Sequence, residues 1–166
     1  MARVFDLDFS GARLLSRDFG GQKFGPDQRQ FRIEIEDPQL VEKLIKDGVN
    51  LWQPERSDPD EPIRSYMNVK VSYRFGAPDV AMITPEGNAI VLTEKTIDEL
   101  DNAWIKNTEM HVHGSTYERM GRTGVTVYLD TLVVWLMSNS EREAITAENQ
   151  ARSNPVRDRF RRLFEG

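Results

Sequence analysis

Gly11-Ala-Arg-Leu-Leu-Ser-Arg-Asp-Phe-Gly-Gly-Gln-Lys-Phe-Gly25, followed by Arg29-Gln-Phe-Arg-Ile-Glu-Ile-Glu36, is the stretch on which the architecture turns. A strand-like run ends in Arg17-Asp-Phe-Gly-Gly21. A loop rich in glycine and proline then carries Lys23 and Phe24, and a second run starts at Arg29. In that second run Phe31, Ile33 and Ile35 share one side, while Arg32 and Glu34 take the other. A two-residue period with one apolar side describes a strand lying on a core with its outer face wet. Upstream, Val4 to Phe9 alternates apolar and acidic residues, and Gly11 breaks or bulges that strand.

Downstream the same period recurs. From Tyr66 to Phe75, residues Met67, Val69, Val71 and Tyr73 fall on one face, and Tyr66, Asn68, Lys70, Ser72 and Arg74 on the other. Val80–Thr84 and Ala89–Leu92, joined by Pro85-Glu-Gly-Asn88, read as a hairpin. Thr108–His113 and Val125–Met137 add two strands, with Gly114 to Gly124 as a connecting loop. Helices are short and few. Asp37-Pro38 is an N-cap with proline at the first helical position. Leu40, Val41, Leu44 and Ile45 form its apolar side, and Gly48 stops it. Thr96-Ile-Asp-Glu99 and Ser140-Glu-Arg-Glu143 match capping boxes, and Trp104 is placed in the core. The pattern predicts a mainly β chain. Small antiparallel barrels fit it, among them the OB fold, and the pattern alone does not choose between them.

The composition bounds the chemistry. With 166 residues, 39% of them hydrophobic, the chain can bury an ordinary core. There is no cysteine, which excludes disulfides and thiolate metal sites and suits a reducing compartment. The longest apolar run, Leu132 to Met137, is too short to span a membrane. Met1-Ala-Arg3 runs straight into Asp6 and Asp8, so no signal peptide is expected and the setting is cytoplasmic. The net charge of −5 opposes indiscriminate nucleic-acid binding. The charge is segregated, however. Arg17, Lys23, Arg29 and Arg32 cluster early, and five arginines crowd the segment from Arg152 onward. Excess acid lies in Glu55–Glu61 and Glu94–Asp101.

Cations alternating with aromatics around a flexible loop suit single-stranded nucleic acid, which offers a charged backbone and unstacked bases. No phosphate-cradling glycine motif is present, because Gly20-Gly21 leads into Gln-Lys. No strand-end carboxylate cluster of a nuclease stands out, so no enzyme activity and no cofactor is expected. Glu109, His111 and His113 share a strand face, but no third strong ligand accompanies the two histidines, and no metal site is expected.

In order along the chain, "GARLL-x-R-x-F-G-G", "R-x-F-x-I-x-I", "LVEKLIKDGVN", "Y-x-N-V-K-V-S-Y-R", "I-x-E-L-D" and "G-V-T-V-Y-L" resemble the OB-fold single-stranded DNA-binding proteins of tailed bacteriophages. The succession covers Val4 to Trp135. The resemblance implies a mainly β, five-stranded antiparallel OB-like barrel over residues 1–138, with short helices inserted, and a helical C-terminal tail over 139–166. It implies an accessory protein of phage replication or recombination that coats single-stranded DNA without regard to sequence. The alternative is a phage structural or assembly protein that uses the same barrel against other proteins. Carried over by position, Arg17 and Phe19 match the family's Arg-x-Phe loop. Arg29 and Phe31 match its second strand, and Lys70 and Tyr73 its central strand. Asp18 stands where the family usually has Asn.

The candidate nucleic-acid-binding set is therefore Arg17, Phe19, Lys23, Phe24, Arg29, Arg32, Trp52, Tyr66, Lys70, Arg74, Tyr117, Arg119 and Arg122. Phe19 and Phe24 either tuck under their loop or stack on bases. Tyr66, Lys70 and Arg74 make either a solvated sheet face or a binding face. Tyr117, Arg119 and Arg122 lie on a mobile hairpin or on a binding loop. In the tail, Val156, Phe160, Leu163 and Phe164 form an apolar stripe ringed by arginines. It is offered to the barrel itself, to a second copy, or to a replication protein by helix-in-groove docking.

Overall fold

The computed structural model describes residues 2–74 and 76–151. Among the described residues, eight strands join into one sheet. They are β1 (Arg3–Ser10), β2 (Leu15–Asp18), β3 (Gln30–Ile35), β4 (Ser65–Lys70), β5 (Asp79–Ile83), β6 (Ala89–Leu92), β7 (Ile105–Arg119) and β8 (Arg122–Leu136). Helix α1 (Pro38–Asp47) lies between β3 and β4, and a second helix, α2, spans 139–151.

The strand path is β1-β7-β8-β4-β3-β2. Its two ends are held together by the chain itself. β1 pairs with β7 and β2 with β3, and the chain turns from one to the other at Gly11. There φ is +76°, a conformation glycine adopts without strain, and Gly11 N–H donates to the Thr108 carbonyl at 2.7 Å. The bent β1/β2 path with β3, β4, β7 and β8 makes a five-strand, OB-fold-like curl around one core. The β5–β6 hairpin is an addition on the second half of β8. One expectation changes: β8 runs parallel to both β4 and β5, so the sheet is mixed rather than wholly antiparallel.

Alternation fills the interior. Phe31, Ile33, Met67, Val69, Val112, Val127, Leu132 and Val134 are all but inaccessible to solvent. Two aromatics lie over glycines that leave them room. A Cβ at Gly114 would strike the Phe5 ring at 2.4 Å, and one at Gly124 would strike the Tyr117 hydroxyl at 2.5 Å. Each pair is a cross-strand neighbour.

The helices follow local chemistry, with corrections. Asp37 accepts from Gln39 N–H at 3.0 Å, and Gly48 closes α1 in a left-handed turn (φ +101°) by donating to Ile45 and Leu44. Leu44 is buried, whereas Ile45 faces solvent. The capping box of α2 begins two residues earlier than expected. Ser138 N–H donates to Glu141 Oε1 at 3.2 Å, and Glu141 N–H donates to Ser138 Oγ at 3.1 Å. Thr96 caps nothing: its hydroxyl accepts from Thr93 N–H, and the segment after it is a short 3-10 turn, Ile97–Asp101. Trp104 is partly exposed rather than core, with the Arg142 guanidinium 5.0 Å from its ring. The connecting loop expected at Gly114–Gly124 is the far end of a long hairpin, closed by Met120 and Gly121 alone, both at positive φ. The tail features from Arg152 onward lie outside the described residues.

Candidate nucleic-acid interface

The outer face of the sheet is where the candidate residues meet. Strand pairing sets Gln30 of β3 beside Lys70 of β4, Lys70 beside Tyr128 of β8, Tyr128 beside His113 of β7, and His113 beside Asp6 of β1. This row crosses five strands. A second row places Arg32 beside Asn68 and Glu34 beside Tyr66. All lie on the outward side of strands whose other side builds the core.

Trp52 is added by a single bridge to Tyr66, with reciprocal backbone hydrogen bonds of 2.9 Å. The Trp52 and Tyr66 rings are 5.3 Å apart, and the Arg32 guanidinium sits 4.7 Å from the Trp52 ring. Trp52 is nonetheless 50% exposed. A cation and two flat rings are thus held in place with aromatic surface still available, the arrangement on which a base can stack.

Beside this stack runs a groove of about 580 Å³, lined by Asn50, Asn68, Lys70, Tyr117, Arg119 and Tyr128 among others. Its wall is the β7–β8 hairpin, which brings Tyr117 and Arg119 over the sheet. Arg122 pairs across the turn with Arg119. Asn68 donates to Gln30 at 2.6 Å and so is held in one orientation. Tyr128 stacks on His113 with centroids 5.6 Å apart. Tyr128 belongs to the face and is absent from the residue set read from sequence. The alternation of Val125, Val127 and Leu129 inward against Thr126, Tyr128 and Asp130 outward is the signal that could have found it.

Three candidates from the first glycine loop have other work. Phe19 is 0% exposed and stacks on Phe31 at 5.0 Å inside the core, so it offers no ring to a base. Arg17 donates to the carbonyls of Leu14, Leu100 and Ala103 at 2.8–3.0 Å, and burial pushes its guanidinium pKa down. Arg29 is largely buried. It donates to Pro26 O at 3.0 Å and Glu94 at 3.1 Å, and lies 5.3 Å from the Tyr73 ring. Burial in turn raises the Tyr73 pKa.

The loop itself is organised by Asp18. Its buried carboxylate accepts from the N–H groups of Gln22, Lys23 and Phe24 at 2.9–3.3 Å. Asp101 accepts from Phe19 and Gly20 N–H. Gly21 turns at φ +68°, where a Cβ would meet the Gly25 carbonyl at 2.7 Å. The turn leaves Lys23 and Phe24 outside, Phe24 being 61% exposed. Arg74 is exposed too and reaches Asp27 at 3.3 Å. These three lie at the Gln30–Lys70 end of the face.

Comparison with known proteins identifies the family and supports the fold. A family model described as a putative phage ssDNA-binding domain matches residues 1–152. Two solved structures of the single-stranded DNA-binding protein from bacteriophage Enc34 share the fold. A C-terminal truncation superposes with a TM-score of 0.51 at 12% identity, over 81% of this chain and 87% of that one. A form in complex with ssDNA has a TM-score of 0.51 at 12% identity, over 81% and 88%. The single-stranded DNA-binding protein gp2.5 of bacteriophage T7 is more distant, at a TM-score of 0.42 and 10% identity over 83% and 89%. No curated protein sequence matches. With the family model spanning every described residue, the chain belongs to the putative phage ssDNA-binding domain family.

Proposed function

We propose that the chain coats single-stranded DNA without regard to sequence. The strand follows the outer face of β3, β4 and β8, between the Arg32–Trp52–Tyr66 stack and the β7–β8 hairpin. The observation that carries this reading is that cluster: a half-exposed indole in contact with a tyrosine ring and a guanidinium, beside a groove lined by Lys70 and Arg119. Bases stack on Trp52, and with less area on Tyr128 and Tyr117, while Arg32, Lys70, Arg119 and Arg122 track phosphates. Lys23, Phe24 and Arg74 extend the path at one end. Stacking and charge contacts of this kind read no base edges, which supports sequence tolerance. The protein acts by binding alone, as an accessory of phage replication or recombination in the host cytoplasm. The solved complex of the Enc34 protein with ssDNA supports the same ligand class for this chain.

The test is quenching of tryptophan fluorescence by oligo-dT at low salt, repeated with duplex DNA and RNA. Strong quenching by oligo-dT with weaker binding of duplex is the expected outcome. Equal affinity for duplex, or no binding, would overturn the reading and favour a structural role in the phage particle.

A further inference from the structure

At the β1 end of the same sheet face, histidines meet carboxylates that the sequence did not place beside them. We propose that Asp6, His111 and Asp130 form a binding site for one divalent transition-metal ion of the Zn²⁺ class, with Asp8 and His113 orienting the ligands and Arg3 competing for the position. The proposal stands independently of the DNA-binding reading.

Three observations carry it. The first is ligand spacing. His111 Nε2 lies 2.9 Å from Asp6 Oδ1 and 3.6 Å from Asp130 Oδ2, and one ligand atom from each of the three residues falls within 4.8 Å of the others. Two ligands each about 2.1 Å from one ion are roughly 3.0–3.4 Å apart at tetrahedral or octahedral angles. The two histidine–carboxylate separations are therefore already near those that a shared ion imposes. They come from three adjacent strands, whose register holds them there.

The second is the supporting shell. Asp8 Oδ1 is 2.6 Å from His111 Nδ1, and Asp130 Oδ1 is 2.7 Å from His113 Nδ1. A carboxylate on the far nitrogen of a ligating histidine fixes its tautomer and aims the other nitrogen at the ion. His113 does the corresponding work for Asp130, and is itself braced by stacking on Tyr128.

The third is that the position already draws a cation. The Arg3 guanidinium contacts Asp6 Oδ1 and Asp130 Oδ2, the same two oxygens that the ion would take. Arg3 is half exposed at the start of β1. Without an ion, the two His111 ring nitrogens contact the carboxylates of Asp8 and Asp6 at 2.6 and 2.9 Å. Binding exchanges the His111 Nε2–Asp6 contact and the Arg3 contacts for the metal. Imidazole and carboxylate together suit Zn²⁺ and Co²⁺ better than Mg²⁺.

The experiment titrates the full-length, chelator-treated protein with Co²⁺, followed by visible absorption, and then displaces it with Zn²⁺. One ion per chain with an imidazole-ligated spectrum is expected. Binding should be lost in His111→Ala and weakened 10–100-fold in Asp8→Asn. It should be retained or tightened in Arg3→Ala, which removes the competitor. Melting temperatures show that the variants fold, and Asp130→Asn serves if His111→Ala does not. No Co²⁺ spectrum in the wild-type protein would overturn the proposal. So would uptake unchanged in His111→Ala, or binding weakened by Arg3→Ala, since these describe a diffuse acidic surface.

Discussion

Phe19 and Trp52 show what a sequence can and cannot say about a single residue. Both are aromatic and both adjoin loops. Phe19 ends a strand beside two glycines, which reads as an exposed loop; its partner Phe31 is remote in sequence, and only the β2–β3 pairing brings the rings to 5.0 Å. Trp52 opens a charged segment, and its exposure was legible from that position. The two substitutions should separate cleanly. Phe19→Ala removes a wholly buried ring, and is expected to cost about 3–5 kcal/mol in denaturant unfolding. Trp52→Ala should leave the melting temperature nearly unchanged and weaken oligo-dT binding by about 1–3 kcal/mol. If Trp52→Ala binds normally, the stack is not the binding platform.

At the scale of elements, period two was the dependable signal, and it placed the core faces of β3 and β4 correctly. Connections were less legible. Gly114 to Gly124 looked like a loop because three glycines fall within it, yet two of those glycines sit under Phe5 and Tyr117 in a continuous ladder. The glycine loop after β2 is likewise built around a side chain, Asp18, whose role sequence alone leaves unassigned. Asp18→Ala would strand the N–H groups of Gln22, Lys23 and Phe24. It is expected to destabilise the domain by about 1–3 kcal/mol and to speed amide exchange over 20–25. Unchanged exchange there would show that the carboxylate does not hold the loop.

The cap of α2 gives a pH dependence with a definite sign. Glu141 is held below its ordinary value of 4.5, chiefly by the Ser138 backbone N–H. A depressed folded-state pKa contributes stability that is complete above the unfolded value and is lost as pH falls through the folded one. The first turn of α2 should therefore fray as pH drops below about 4.5, read by amide exchange of the segment. Glu141→Gln should remove that dependence. The shift of this box by two residues was not legible, because Ser138 and Ser140 both have glutamate three positions on.

For the whole molecule, the deciding quantity is where positive charge is free to act, since the chain is acidic overall. Counting cations along the sequence put weight on Arg17 and Arg29, and folding assigns both to internal carbonyls and to Glu94. Arg32, Lys70 and Arg119 remain on the outer face and its groove, with Asp6, Asp8 and Asp130 at the far end of the same face. Each phosphate neutralised on a single strand contributes about −0.7 to the slope of log affinity against log salt. Lys70→Ala and Arg119→Ala should each make that slope shallower by about 0.7, with unaltered melting. Arg17→Ala should lower the melting temperature and leave the slope alone. The opposite result would move the DNA elsewhere. If Arg17→Ala flattens the slope while Lys70→Ala does not, the strand runs through the groove formed by Arg13, Arg17, Trp104 and Lys106, on the side of α2.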